Sequence, residues 1–244
     1  MSEKKIKFVD GEMYEYEIMD LVDPYSEVLK TVTPHFDFEN PPTDPKKLGI
    51  SLVETMVKNN GVGLAAPQVG LPYRVFVMGA EGVGFACFNP EILEEYHGYD
   101  RFEEGCLSFR GLFLSINRPE RVKVRYQDWN GLVKEETFSG LTGRIFQHER
   151  DHLDGIVFTS KVSKTVLERA KDKVKSNCKR LDKQIAIQKA AQNVVNRSKG
   201  TIKSSKFNTP NSVITIKDRV APPLRQTTSE EIPISKPDST PASL

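Results

Sequence analysis

Two histidines four residues apart constrain this chain more than any other feature. In the run His148-Glu149-Arg150-Asp151-His152, an α-helix brings both imidazoles to one side, about 6 Å apart, a separation one metal ion can bridge. The 244-residue chain holds 4 His in all, so two in a five-residue window form a pattern. The neighbouring residues have helical period: Leu141, Ile145, His148 and His152 share a face, and Gly155 follows as a stop. The alternative is an ordinary helix with two surface histidines. It is the weaker reading, because the pair lies on the apolar face. Glu149, beside the first imidazole, is placed to hold a metal-bound water.

Two histidines do not complete a catalytic site, which takes three protein ligands and leaves one position open. No third His and no Glu stands at the usual downstream spacing. The best candidate lies upstream, in Glu104-Gly105-Cys106-Leu107-Ser108. A thiolate suits Zn²⁺ or Fe²⁺, and Gly105 lets the backbone approach closely. Cys87 and Cys178 read as small buried hydrophobes. A third segment, Gly61-Val62-Gly63-Leu64-Ala65-Ala66-Pro67-Gln68, matches G-x-G-x-x-A. A dinucleotide fingerprint should follow a strand and open a helix, whereas this run follows a helical pattern and contains Pro67. It reads instead as the extended wall of a cleft, with Gln68 offering an amide donor.

The rest of the chain supplies the frame. Leu48, Leu52, Val53, Met56 and Val57 mark a helix, with Gly61 as its expected stop. Short β-type runs follow at 74–78, 84–89 and 113–116. Residues 121–126 alternate charged and apolar, and Asn130-Gly131 signals a hairpin returning through 133–138. Several strands with a helix at either end argue α+β. Residues 1–16 read as polar with little to anchor them. Beyond Ser163 a second helical pattern carries a thin stripe of Val166, Ala170, Val174, Cys178, Leu181 and Ile185 among Lys and Arg. Charge follows the same division. Residues 1–160 hold 17 Lys and Arg against 26 Asp and Glu, a net of −9, while residues 161–205 hold 13 against 3, a net of +10. An acidic body with a basic arm suggests one chemical task and a tether. The expected organisation is a catalytic domain over 1–160, a basic amphipathic helix over 161–198, and a Ser-, Thr- and Pro-rich disordered tail over 199–244. Three Cys suit a reducing compartment. Without a signal sequence or a long apolar run, the expectation is a cytoplasmic protein that makes no membrane contact.

Taken in order, GVGLAAPQ, EGCLS and QHERDHLDG resemble the three signature motifs of peptide deformylases. The resemblance spans about residues 20–160. It implies an α+β fold with antiparallel strands packed around a central metal-binding helix, followed here by a C-terminal helical extension. Carried over by motif, it implies Cys106, His148 and His152 as metal ligands and Glu149 as general base and acid. Gln68 and the Leu107 N–H become oxyanion donors, and Val62, Gly63 and Gly105 line the substrate. The implied metal is Fe²⁺, with Zn²⁺ or Ni²⁺ able to replace it. The implied reaction removes the formyl group from N-terminal formylmethionine of nascent peptides. Relatives often place Pro directly after the equivalent of Phe109, where this chain has Arg110-Gly111. Two readings compete: an HExxH peptidase, disfavoured by the upstream Cys ligand, and an RNA- or ribosome-binding protein led by the arm. Ribosome contact through residues 163–197 is compatible with the enzyme as an addition to it.

Overall fold

The structure is a computed structural model that describes residues 4–9, 11–80 and 83–201. The chain divides into two units, Met1–Ala191 and Gln192–Leu244. The described part of the second unit, residues 192–201, is helical. Residues 202–244, most of the expected tail, lie outside the described residues.

The strand β4 (Val75–Ala80) explains the architecture of the first unit. Its run Val75-Phe76-Val77-Met78 is wholly apolar because both of its faces are covered. Val75 and Val77 join a core with Leu48, Leu52, Val53 and Met56 of the helix α1 (Pro45–Lys58). Phe76 and Met78 join the opposite core with Phe146 and Leu153 of α2 (Gly140–Leu153). The sheet between the helices has the order β3-β4-β5-β8-β9, with every pairing antiparallel. Its other members are β3 (Gly63–Ala65), β5 (Val83–Glu95), β8 (Arg121–Gln127) and β9 (Val133–Ser139). The expected hairpin closes β8 onto β9. The Gly131 N–H donates to the Asp128 carbonyl at 2.9 Å, and Gly131 has φ +78°.

A second ribbon pairs β6 (Tyr99–Gly105) with β7 (Phe113–Pro119) and delivers Cys106 at its end. Leu112, Leu114 and Ile116 meet Phe158 in a third core, against which Leu167, Ala170 and Val174 of α3 (Lys164–Thr201) pack. This corrects the expected α3 stripe: its first three turns are anchored, but Val166 lies outside the anchor and Leu167 inside it. Farther along, Leu181 is 56% exposed and Cys178 is exposed, so Cys178 is not the buried hydrophobe its sequence context suggests. Cys87, by contrast, is fully buried.

Three further expectations change. Residues 4–17 form a hairpin, β1 (Lys4–Val9) with β2 (Glu12–Glu17), where the sequence reads as unanchored. The helix α1 stops before Gly61: Asn59 caps it, and Asn60 takes the left-handed turn at φ 56°. Asn is among the few side chains that tolerate that region. Finally, Leu141 on the first turn of α2 is 62% exposed. The buried face of that helix is instead set by Phe146 and a row of polar residues.

Candidate active site

The helix α2 starts after Ser139 and ends at Asp154, with Gly155 at φ +69° turning the chain away. A side chain at Gly155 would place Cβ 2.5 Å from the Lys30 carbonyl oxygen, so the stop must be glycine. Between these ends the helix projects His148 and His152 toward Cys106, which β6 carries in from the other side. The three ligand atoms lie within 4.8 Å of one another. Cys106 Sγ is 3.3 Å from His152 Nε2. His148 commits its Nδ1 to Glu104 Oε2 at 3.0 Å, which leaves Nε2 for the cluster. Zn–N and Zn–S bonds run about 2.0–2.3 Å, so a trio of this size is what one ion draws together.

Two buried atoms test whether an ion belongs there. Glu149 Oε2 and His152 Nδ1 have no hydrogen-bond partner among the described residues. A carboxylate oxygen left bare beside a Cys-His-His cluster fits a site that admits an ion and water; a closed hydrogen-bonded core would satisfy it. Glu149 also explains Gly63. A Cβ at that position would fall 2.3 Å from Glu149 Oε1, so glycine alone lets β3 run this close to the carboxylate.

The surrounding charges orient these groups. Glu104 accepts from Arg118 Nε at 2.6 Å and Nη2 at 2.9 Å, and from Arg144 Nη1 at 2.8 Å. Arg118 Nη1 continues to Asp151 Oδ2 at 2.7 Å, and Lys161 reaches the same oxygen at 2.9 Å. Burial opposes ionisation of Glu104, but hydrogen bonds from His148 and Arg118 outweigh it and hold its pKa at about 2. Burial likewise works against protonated His148. Contacts with Cys106 and Glu104 overcome it and raise that pKa to about 10 in the ion-free site. An incoming cation would displace this proton, as metal binding does at protonated ligands. Burial pushes Glu149 up to about 7 and His152 well below the ordinary histidine value.

An open cleft of about 500 Å³ leads to this cluster. Val62, Gly63, Gly105, Cys106, Leu107, His148 and Glu149 line it. Gln68 and His152 do not, being 1% and 0% exposed behind its wall. Gln68 accepts from the Ala65 N–H at 2.8 Å through its oxygen. Its amide nitrogen bonds Ser108 Oγ at 3.1 Å and lies 3.4 Å from Cys106 Sγ. The segment Ala66–Val69 forms a 3-10 turn, so the wall is extended only through Ala65.

The family model of polypeptide deformylases matches residues 16–168. The chain belongs to the polypeptide deformylase family. It is 48% identical over 112 residues to the peptide deformylase of Thermotoga petrophila, covering 46% of this chain and 68% of that one. Among solved structures it is similar to a peptide deformylase from Legionella pneumophila, at 33% identity and TM-score 0.60, covering 68% of this chain and 97% of that one. It is also similar to the class I type b peptide deformylase of Acinetobacter baumannii bound to Met-Ala-Ser, at 32% identity and TM-score 0.56, covering 59% of this chain and 98% of that one. Deformylases are metal-dependent hydrolases, and the Cys106–His148–His152 cluster can hold the metal. Family membership displaces both competing readings, the HExxH peptidase and the RNA-binding protein with an inactive core.

Sequence reasoning missed Arg118, Arg144, Asp151 and Lys161, and it quoted Glu104 without giving it a task. Part of the signal was present. Arg144 is four residues before His148 and Asp151 three after it, the spacings that share a helix face. Arg118 carried no local signal, because its place depends on the pairing of β6 with β7.

Proposed function

We propose that the chain hydrolyses the formamide bond of N-terminal formylmethionine on nascent peptides, releasing formate and a free α-amine. The observation that supports this most is the bare, buried carboxylate oxygen of Glu149, beside the Cys106–His148–His152 cluster at the floor of an open cleft. The three ligands would hold Fe²⁺, which the thiolate suits, with Zn²⁺ or Ni²⁺ as substitutes. An ion held there would supply Lewis-acid chemistry, polarising a carbonyl oxygen and lowering the pKa of water. Glu149 accepts the proton from the attacking water. Its pKa of about 7 lets it take that proton and return it near neutrality. It then delivers the proton to the departing amine as the C–N bond breaks. The Leu107 N–H would donate to the oxygen that gains charge, and Gln68 would join it by giving up the contact its amide makes with Cys106 Sγ, a contribution worth about 3–4 kcal/mol per donor. Val62 and Gly63, with Gly105 opposite, hold the peptide. The apolar part of the cleft comes from Val62, Leu107 and Phe113; α2 contributes only His148 and Glu149 to the lining.

The reading also places the enzyme in a cytoplasm, where formylated chains emerge. It assigns the exposed basic face of α3, with Lys173, Lys175, Lys179, Arg180 and Lys183, to ribosomal RNA phosphates. No helix among the described residues is long and apolar enough to cross a membrane. The test is formate release from formyl-Met-Ala-Ser by protein loaded with Fe²⁺ without air. Full metal occupancy with no formate would overturn the reading. Salt-insensitive ribosome binding would overturn the role given to α3.

A further inference from the structure

The mouth of the cleft is opposite in charge to the body that carries it. Residues 1–160 have a net charge of −9. The cleft lining nevertheless includes two lysine or arginine side chains, Lys58 and Arg110, and one carboxylate, Glu149, which is buried at the floor. Lys58 comes from the last turn of α1 on one wall, and Arg110 from the loop after Cys106 on the other. Arg110 Nη2 donates to Asn59 Oδ1 at 2.9 Å, so the guanidinium is held across the opening beside Lys58. Both cations are exposed, and neither forms an ion pair with a carboxylate among the described residues. A mouth with two unpaired cations on a net-acidic body is a local field of fixed sign.

Resting on the deformylase reading, we propose that Lys58 and Arg110 select formyl peptides with an acidic side chain at the second or third residue. Gly63 marks the reacting end, because it lies against Glu149. Asn59, four residues back along the same wall, marks the mouth. At about 3.3 Å per extended residue the mouth is at most about 13 Å from the reaction, the reach of two or three residues beyond the formyl group. An aspartate or glutamate there meets both cations, and a lysine is repelled by both. Each exposed pair is weak and screened by salt, so the selection is graded.

Three C-terminally amidated peptides test this: formyl-Met-Ala-Ser, formyl-Met-Ala-Glu and formyl-Met-Ala-Lys. Amidation removes the terminal carboxylate that would mask the effect. The expected kcat/KM of the Glu peptide is about tenfold above that of the Lys peptide at low salt, shrinking toward about twofold as salt rises. The same order should appear in calorimetric binding of the unformylated Glu and Lys peptides. The double variant Lys58→Glu with Arg110→Glu should invert the Glu-to-Lys ratio, and a ratio taken within each protein is insensitive to general loss of activity. Equal treatment of the two peptides by the unaltered chain, or an unchanged ratio in the double variant, overturns the proposal. Formate released from none of the three overturns the hydrolase reading beneath it.

Discussion

Nine of the 14 residues of α2 are buried, and six of those nine are polar or charged: Arg144, Gln147, His148, Glu149, Asp151 and His152. In α3, 38 residues long, apolar side chains stand in water instead: Leu181 is 56% and Ile187 59% exposed. The polar helix is inside and the apolar stripe outside because partners, not hydropathy, decide the outcome. The strands β6 and β7 bring Glu104 to Arg144 and His148, and Arg118 to Asp151, so the desolvation of these three groups is met by a fixed counter-charge, while Glu149 has none. Past Val174 nothing in the third core covers α3. Its helicity there rests on residues that favour the helix, with the Lys175–Asp172 ion pair at 3.8 Å where the cover ends.

The sharpest contrast lies inside α2, between a group that reacts and groups that hold. Glu149→Ala should keep the metal and lower kcat by about 10²–10⁴-fold, the worth of a positioned proton carrier. Metal analysis beside formate kinetics checks this; metal lost in step with activity would make Glu149 a ligand. Arg118→Met should act through stability. It leaves Glu104 with Arg144 and His148 and leaves Asp151 with Lys161, and breaking such a buried pair costs about 3–5 kcal/mol. Urea unfolding reads it, and a cost under about 1 kcal/mol would deny the network its structural role.

Glu149 differs from the other buried charges in having no partner at Oε2, and pH exposes the difference. Burial raises its pKa from 4.5 to about 7. Below pH 4.5 the group is protonated folded or unfolded and costs nothing. Between 4.5 and about 7 the folded chain keeps a proton that the unfolded chain has released, so stability falls as pH rises. Above about 7 the penalty is complete, about 3 kcal/mol for a shift of this size. Metal-free Glu149→Gln should therefore be more stable than metal-free parent by about that amount at pH 8, and equal to it at pH 4. An equal gain at both pH values would point to packing, not charge. Glu104, with its pKa lowered from 4.5 to about 2, has the opposite sign: its contribution is full above 4.5 and is lost as pH falls from 4.5 to about 2.

This contrast also explains what could be read in advance. The i, i+4 histidines pointed to α2 as the helix that offers two metal ligands, since that spacing is local and its geometry follows from the helix alone. Cys106 was a candidate on ligand chemistry, the resemblance of the three motifs offered it as the third ligand, and the fold brings it to both histidines. Arg118 could not be found that way, because its contact with Glu104 depends on how β6 registers with β7, where Glu104 pairs with Leu114 and Arg118 with Asp100. Leu141 was misjudged for a related reason. It has the right period but lies at the first turn, where no element covers it. The hairpin at 4–17 was missed although Lys5-Ile6-Lys7-Phe8 alternates: the run is short, and Ile6, Phe8 and Met13 remain 62–69% exposed, so the pairing does not rest on a buried apolar face.

The smallest expected effects divide α3 itself. Leu167 packs against the core of Leu112, Leu114, Ile116 and Phe158, whereas Leu181, four turns on, is 56% exposed. Both are leucines on the same helix and share a face by spacing, so propensity changes equally when either becomes alanine. Only burial differs. Leu167→Ala should destabilise the chain by about 2 kcal/mol, the low end for a partly buried leucine, and Leu181→Ala by less than about 0.5 kcal/mol. The pair also fixes where the arm can be cut. Truncation after residue 160 strips Leu167, Ala170 and Val174 from the third core, against which Phe109 and the cleft residue Cys106 also pack, so it should weaken folding and metal binding together. Truncation after residue 177 keeps that cover and should leave kcat/KM on a free formyl tripeptide within about twofold, since among the described residues none beyond Val174 joins a core cluster. If the chain cut after residue 177 loses activity as the shorter one does, the exposed half of α3 is part of the catalytic unit and the division drawn at Val174 is misplaced.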